Sequence, residues 1–140
     1  MKKYLRKYNQ NYISIITVVL NGEKTLERTI KSVINQSYKN FEHIVIDGGS
    51  TDGTIKILKK YSKKISYWKS EKDKGIYDAM NKGIKKSKGN IIGILNSDDY
   101  YLKNALKIVN DYFNKFEKID FLFGSVKKNR VMSGFYPKKI

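Results

Sequence analysis

Four short apolar runs, each followed by a stretch whose apolar residues recur at helical spacing, constrain this chain more tightly than anything else in its sequence. Residues 13–20 form an apolar, β-branched run that reads as a strand, and Leu26, Ile30, Val33 and Ile34 then mark the buried stripe of a helix. Residues 42–46 repeat the strand signal, and Ile55, Leu58 and Tyr61 mark a second helix behind the start signal Ser50-Thr51-Asp52. A short strand over 65–68 precedes a third helix carrying Ile76, Ala79, Met80 and Ile84, which Gly89 closes. Residues 90–95 are the fourth run, and a helix opened by Leu102, with Leu106, Val109, Phe113 and Phe116 on one face, is the clearest amphipathic segment. Two late strands are expected over 121–126 and 131–136.

This alternation predicts parallel strands joined by right-handed crossovers, hence an α/β fold: a mostly parallel open sheet flanked by helices on both faces. Such sheets take ligands at the carboxyl ends of their strands. The polar and glycine-rich segments fall there: Asn21-Gly22 after the first strand, Asp47-Gly48-Gly49-Ser50 after the second, residues 71–75 after the third, and Asn96-Ser97-Asp98-Asp99 after the fourth. Four loops therefore converge on one edge. The 140 residues suit one domain, 13–140, behind a basic, tyrosine-containing tail over 1–12.

Composition narrows the chemistry. There is no cysteine and a single histidine, His43, so disulfides, thiolate nucleophiles and multi-histidine metal sites are excluded and any metal must be held by oxygen. No stretch reaches the roughly 18 to 20 apolar residues of a membrane helix, and MKKYLRK lacks the apolar core of a secretory signal, which points to the cytoplasm. The formal charge of +16 favours anionic partners. The lysines are scattered in short clusters, however, which read as solvated faces rather than a nucleic-acid groove. The tail, with Tyr4, Leu5 and Tyr8 among basic residues, is suited to brief contact with an anionic membrane at its inner face.

Three segments carry candidate chemistry, each with a structural alternative. In Asp47-Gly48-Gly49-Ser50-Thr51-Asp52, the hydroxyls can cap the next helix and Asp52 can face its dipole, whereas Asp47, placed before the helix start, suits a ligand's imide or hydroxyl groups. Asp73 can hold a base or ribose and Lys74 or the Gly75 backbone can approach phosphates, or the segment can be a solvated loop with Asp78 near a helix start. Asp98 and Asp99 can cap a helix. They can equally hold a divalent cation, because Mg²⁺ or Mn²⁺ bridging a diphosphate needs one or two protein carboxylates, phosphate and water supplying the rest.

Residues 17–21 (TVVLN), 46–54 (IDGGSTDGT), 73–83 (DKGIYDAMNKG) and 95–99 (LNSDD) together resemble the family 2 glycosyltransferases in order and spacing. The resemblance runs from about residue 13 to 136. It implies the nucleotide-sugar half of a Rossmann-like GT-A fold that takes a nucleoside-diphosphate sugar, of UDP type, with Mn²⁺ or Mg²⁺. Carried over, it places Asp47 on the nucleobase, Asp73 near base or ribose, and Val19 and Asn21 along the nucleoside, with Gly49, Lys74 and Gly75 also among the residues that bind the nucleotide sugar. Asp98 and Asp99 supply the acidic motif, one meeting sugar or ribose and the other the metal. Asn96 stands where the family often has aspartate.

The resemblance further implies metal-assisted inverting transfer to a glycan, a lipid-linked molecule or another hydroxyl acceptor, as in polysaccharide and cell-envelope synthesis. The family's general base is a carboxylate on the acceptor side, and nothing after Asp120 is acidic, so no catalytic base is identified and the usual acceptor-side part is expected to be missing. Two other readings stay open: a nucleotide-sugar-binding module that partners a complete transferase or a second copy of itself, and a basic nucleic-acid-binding domain.

Overall fold

The computed structural model describes residues 10–116 and 118–124. The tail up to residue 9 and the strand expected over 131–136 lie outside them. The elements run β1 (Ile13–Val19), α1 (Leu26–Ile34), β2 (Phe41–Asp47), α2 (Thr54–Tyr61), β3 (Tyr67–Ser70), α3 (Ile76–Lys86), β4 (Ile91–Ile94) and α4 (Ala105–Lys115). The strands form a single sheet in the order β3-β2-β1-β4, with every pairing parallel. The expected α/β architecture is therefore observed.

Alternation along the strands sends successive side chains to opposite faces, and each face has its own helices. On one face Val19 and Val45 pack with Leu26 and Ile30 of α1 and Leu58 of α2. The same face continues through Ile13, Ile15 and Ile91 to Val33 of α1 and Leu106 of α4. On the other face Ile16, Val18, Ile44 and Ile46 meet Ala79 of α3. Here α3 comes so near that a methyl group on Gly83 would lie 2.5 Å from Ile16 Cγ2. Across the first face, Glu27 of α1 accepts hydrogen bonds from Lys60 and Tyr61 of α2, and these hold its carboxyl well below the usual range, at about 2.

Three expectations shift. The third strand is Tyr67–Ser70 rather than 65–68, with Ile65 buried in the turn before it. The fourth helix starts at Ala105, not Leu102: the Tyr101 N–H goes to Ser32 of α1, and the Leu102 carbonyl, which closes a single turn with the Ala105 N–H, is shared with Gln36 just past the end of α1. Residues 121–124 form no strand, and Phe121 and Phe123 are 79% and 89% exposed. Their apolar alternation is a local signal, but a strand also needs a paired neighbour, and none of the described residues pairs with this segment.

His43 sits in β2, fully buried, with Nε2 3.0 Å from Thr17 Oγ1 and Nδ1 without a partner among the described residues. Burial alone pulls its pKa down to about 3. The folded state thus refuses a proton that the unfolded chain takes up below about pH 6.5, so stability is lost as pH falls from there toward 3.

Between pH 7 and pH 5, urea denaturation should show a loss of about 1 to 2 kcal/mol in the wild type and a flatter profile in His43→Gln. For Gly83→Ala, overpacking against Ile16 costs about 1 to 3 kcal/mol and the gain in helix propensity returns only about 1. A lower urea midpoint is therefore expected, and a raised one would show that α3 can lift from β1.

Candidate functional site

The loops after β1 and β2 are locked to each other. Asn21, the one non-glycine residue with positive φ among those described (52°), donates its N–H to Ser50 Oγ at 2.7 Å and accepts from the Thr51 N–H at 2.9 Å. Gly22 must be small, since a methyl group there would lie 2.5 Å from Val19 Cγ2, and its N–H reaches Thr54 Oγ1 at 2.9 Å. Glu23 and Asp52 complete the exchange: the Glu23 N–H donates to Asp52, and Glu23 accepts from the Gly53 N–H. Ser50 and Thr51 are thus not helix caps. The second helix starts at Thr54, whose N–H and hydroxyl both donate to Asp52 Oδ1, and these bonds hold the Asp52 carboxyl below its ordinary value despite the opposing cost of desolvation.

Asp47 is fully buried at the end of β2. Its carboxylate accepts from the N–H groups of Gly49 (3.1 Å) and Ser50 (3.0 Å), from Ser70 Oγ (2.6 Å) and from Ser50 Oγ. In this conformation it shapes the Gly48–Ser50 turn, in which Gly49 has φ +90°. The third loop is placed against that turn. Asp73 accepts from the Gly75 N–H at 2.9 Å, and its Oδ2 lies so close to Gly48 that a methyl group there would be 2.5 Å away. Asp78 accepts from the Lys74 N–H and pairs with Lys82, and Glu71 is held by Lys69 and by Lys82; the bonds keep both acids below their ordinary pKa and raise that of Lys82. Those two acids are therefore engaged within the loop, while Asp73 is turned inward.

The fourth loop carries Asn96, Asp98 and Asp99, all exposed. Neither aspartate caps α4, which begins only at Ala105. Their main chain is held from α1: Arg28 donates to the Asp98 carbonyl at 2.7 Å, and Thr29 Oγ1 reaches the carbonyls of Ser97 (2.8 Å) and Asp99 (2.6 Å). Beneath the loop, burial and the neighbouring Asp99 charge push the Tyr101 hydroxyl up to about 12.

The loops enclose an open cleft of about 550 Å³. Of the residues singled out from sequence, Val19, Asn21, Asp73, Gly75, Asn96 and Asp98 line it, whereas Asp47, Gly49, Lys74 and Asp99 do not. Leu20, Thr25, Ile76, Ala79 and Ser97 also line it and were not anticipated. Leu20 and Ile76 could have been suspected, as apolar residues at a strand end and a helix start. Thr25 comes into the cleft only through the fold of the first loop.

Asp98 and Asp99 offer hard oxygen donors, and their carboxylates accept no hydrogen bond from the described residues. No group of three or more potential ligands that could hold a metal occurs among those residues. The donor set suits a cation shared with a ligand's phosphates, not an all-protein cage.

A family model, Glycosyl transferase family 2, matches residues 14–140. An uncharacterized glycosyltransferase of Mycobacterium tuberculosis is 44% identical over 90 residues, covering 64% of this chain and 34% of that protein. WfaP of Escherichia coli, a UDP-Glc:alpha-D-GlcNAc-diphosphoundecaprenol beta-1,3-glucosyltransferase, is 35% identical over 128 residues, or 89% of this chain and 50% of WfaP. The chain thus spans about a third to a half of the length of these two relatives. Among solved structures, Staphylococcus aureus TarS 1-349 with UDP-GlcNAc superposes with a TM-score of 0.69 at 28% identity, over 74% of this chain and 31% of that one.

Gly48→Ala tests the contact between the second and third loops. The clash falls on the far end of a flexible side chain, so stability should change by less than about 1 kcal/mol. The displaced Asp73 should release the Gly75 N–H, whose hydrogen exchange should rise on the order of tenfold; unchanged exchange would show that Gly48 does not set the position of Asp73.

Proposed function

The chain belongs to glycosyl transferase family 2, and from that premise we propose that its cleft binds a nucleoside-diphosphate sugar of UDP type and that the protein transfers the sugar to a hydroxyl acceptor. The observation that carries this reading is the meeting of Asn21, Asp73, Asn96 and Asp98 on one cleft at the carboxyl ends of the strands. The UDP-GlcNAc held by TarS and the UDP-glucose in the name of WfaP support the donor class.

In this reading Val19, Asn21 and Asp73 receive the nucleoside, with the apolar Leu20 and Ile76 walling it. The Gly75 backbone and Lys74 approach the phosphates, where the positive end of α3 also favours negative charge. Asp47 and Gly49 serve the base through the turn that the buried carboxylate holds. Asn96 and Asp98 meet the sugar and diphosphate, and Asp98 with Asp99 would hold Mn²⁺ or Mg²⁺, whose contribution when bound is to neutralise the departing diphosphate. The acceptor oxygen attacks the anomeric carbon opposite the leaving group, so that the new bond forms as the bond to diphosphate breaks and configuration inverts. The acceptor's proton passes to a base that the described residues do not identify.

The acceptor is a glycan or a lipid-linked molecule, a choice supported by the diphosphoundecaprenol acceptor in the name of WfaP. Work on such an acceptor would place the protein in the cytoplasm at the inner membrane face. No helix among the described residues is long and apolar enough to cross a membrane, and the charge of +16 suits an anionic surface.

Calorimetry of UDP and UDP-sugars with Mn²⁺, with Mg²⁺ and with chelator tests the reading. Metal-dependent binding is expected, weakened on the order of tenfold or more in Asp98→Ala. Undiminished metal dependence in both Asp98→Ala and Asp99→Ala would overturn the metal assignment, and absence of nucleotide binding by the wild type would overturn the function.

A further inference from the structure

The segment from Ser97 to Leu106 has almost no regular structure, yet its main chain is held at nearly every step by one side of α1 and the turn after it. Thr29 reaches the carbonyls of Ser97 and Asp99, and Arg28 that of Asp98. Ser32 Oγ accepts from the Tyr101 N–H at 3.1 Å. Gln36 donates to the Leu102 carbonyl at 2.8 Å and accepts from the Leu106 N–H at 3.0 Å. Positions 29 and 32 share one side of α1, and Gln36, just past its end, continues that polar row by donating back to the Ser32 carbonyl at 3.0 Å. Thr29 and Gln36 are fully buried. A buried hydroxyl shared between two carbonyls is replaceable only by another hydroxyl, because any apolar substitute leaves both oxygens without that donor.

We propose that Thr29, supported by Arg28, is a positioning residue for the donor site: it fixes the Asn96–Asp99 loop so that Asp98 faces the cleft. Thr29 does not line the cleft itself and acts through the main chain of the acidic loop. Arg28 adds a second restraint, since its guanidinium lies 4.7 Å from the centre of the Tyr100 ring while it bonds the Asp98 carbonyl, closing the loop from the solvent side. A loop held only by its own Asp99 N–H to Asn96 carbonyl bond would be free to turn its aspartates outward. The proposal rests on the cleft being the donor site, but the restraint itself is readable without any ligand.

The test compares Thr29→Val, which keeps shape and removes the hydroxyl, with Thr29→Ser, which keeps the hydroxyl. Amide hydrogen exchange at Asp99 and Tyr101 is followed in the free protein, and UDP-sugar binding with Mn²⁺ by calorimetry. Thr29→Val should speed exchange at both amides on the order of tenfold and weaken binding by a similar factor, with β1 and β2 amides unchanged. Thr29→Ser should restore both. Arg28→Ala, at an exposed position that leaves the core intact, should speed exchange at the same amides by a smaller factor. Unchanged loop exchange in Thr29→Val would overturn the proposal, as would a Thr29→Ser variant no better than Thr29→Val. Because exchange needs no nucleotide, a wild type that fails to bind UDP-sugars would refute the functional reading separately.

Discussion

Complete burial of β1 is the constraint on which the rest of the structure depends. All seven of its residues are buried, with β2 on one edge and β4 on the other. One edge of its backbone is paired with β2 over its whole length and the other with β4 over Ile13–Ile16, and both faces of its side chains are covered by helices. Its polar residues are each satisfied inside: Thr17 meets His43, and Ser14 donates to Glu42 at 2.6 Å. Glu42 also takes the Lys88 N–H at 2.6 Å, and the Gly89 N–H donates back to Ser14. These bonds close the amino end of the sheet around a buried carboxylate, leaving the carboxyl end as the edge where loops are free to form a cleft.

At that edge the loops hold one another chiefly by side chain to main chain bonds. Asn21 with Ser50 and Thr51, Glu23 with Gly53, Asp52 with Glu23, and Asp47 with its own turn tie the first two loops into one body. The third is set by contact between Asp73 and the bare backbone of Gly48, and the fourth by the polar stripe of α1. Such a site is preorganised, since its polar groups are oriented before a ligand arrives and little ordering remains at binding. Its acids differ in their exposure to the cleft. Asp47, Asp52, Glu71 and Asp78 are engaged in internal bonds away from it, whereas Asp98 and Asp73, the latter also holding the Gly75 N–H, line the cleft of a chain whose formal charge is +16.

Much of this was legible from the chain. Alternation of β-branched runs with helical spacing announced the parallel sheet, because period and composition report directly on which backbone buries an apolar face. The four glycine and acid-rich loops were correctly placed at one edge, since topology alone puts them there. Less legible was the division of labour within them. Asp47 and Asp73 look alike in sequence, each an acid at or shortly after a strand end and followed by small or basic residues. Burial separates them: each takes donors from its own turn, but Asp47 is fully buried while Asp73 also lines the cleft. Helix starts were misread at Ser50 and Leu102 because capping residues and apolar spacing are local signals, and at both places a neighbouring loop or helix competes for the same main-chain groups.

The sequence by itself determined the fold class, through its periodicity, the family, through the resemblance its four motifs carry, and the sheet edge at which those motifs gather, because topology puts loops that follow parallel strands at one edge. Only the tertiary structure decided which residues line the cleft and which support it. The polar positions Thr29 and Ser32 of α1 and Gln36 just past its end read as unremarkable until residues 97–106 are laid against them. Their partners lie about 65 to 70 residues away in the chain, and hydrogen bonds across that separation exist only once the core between them has packed.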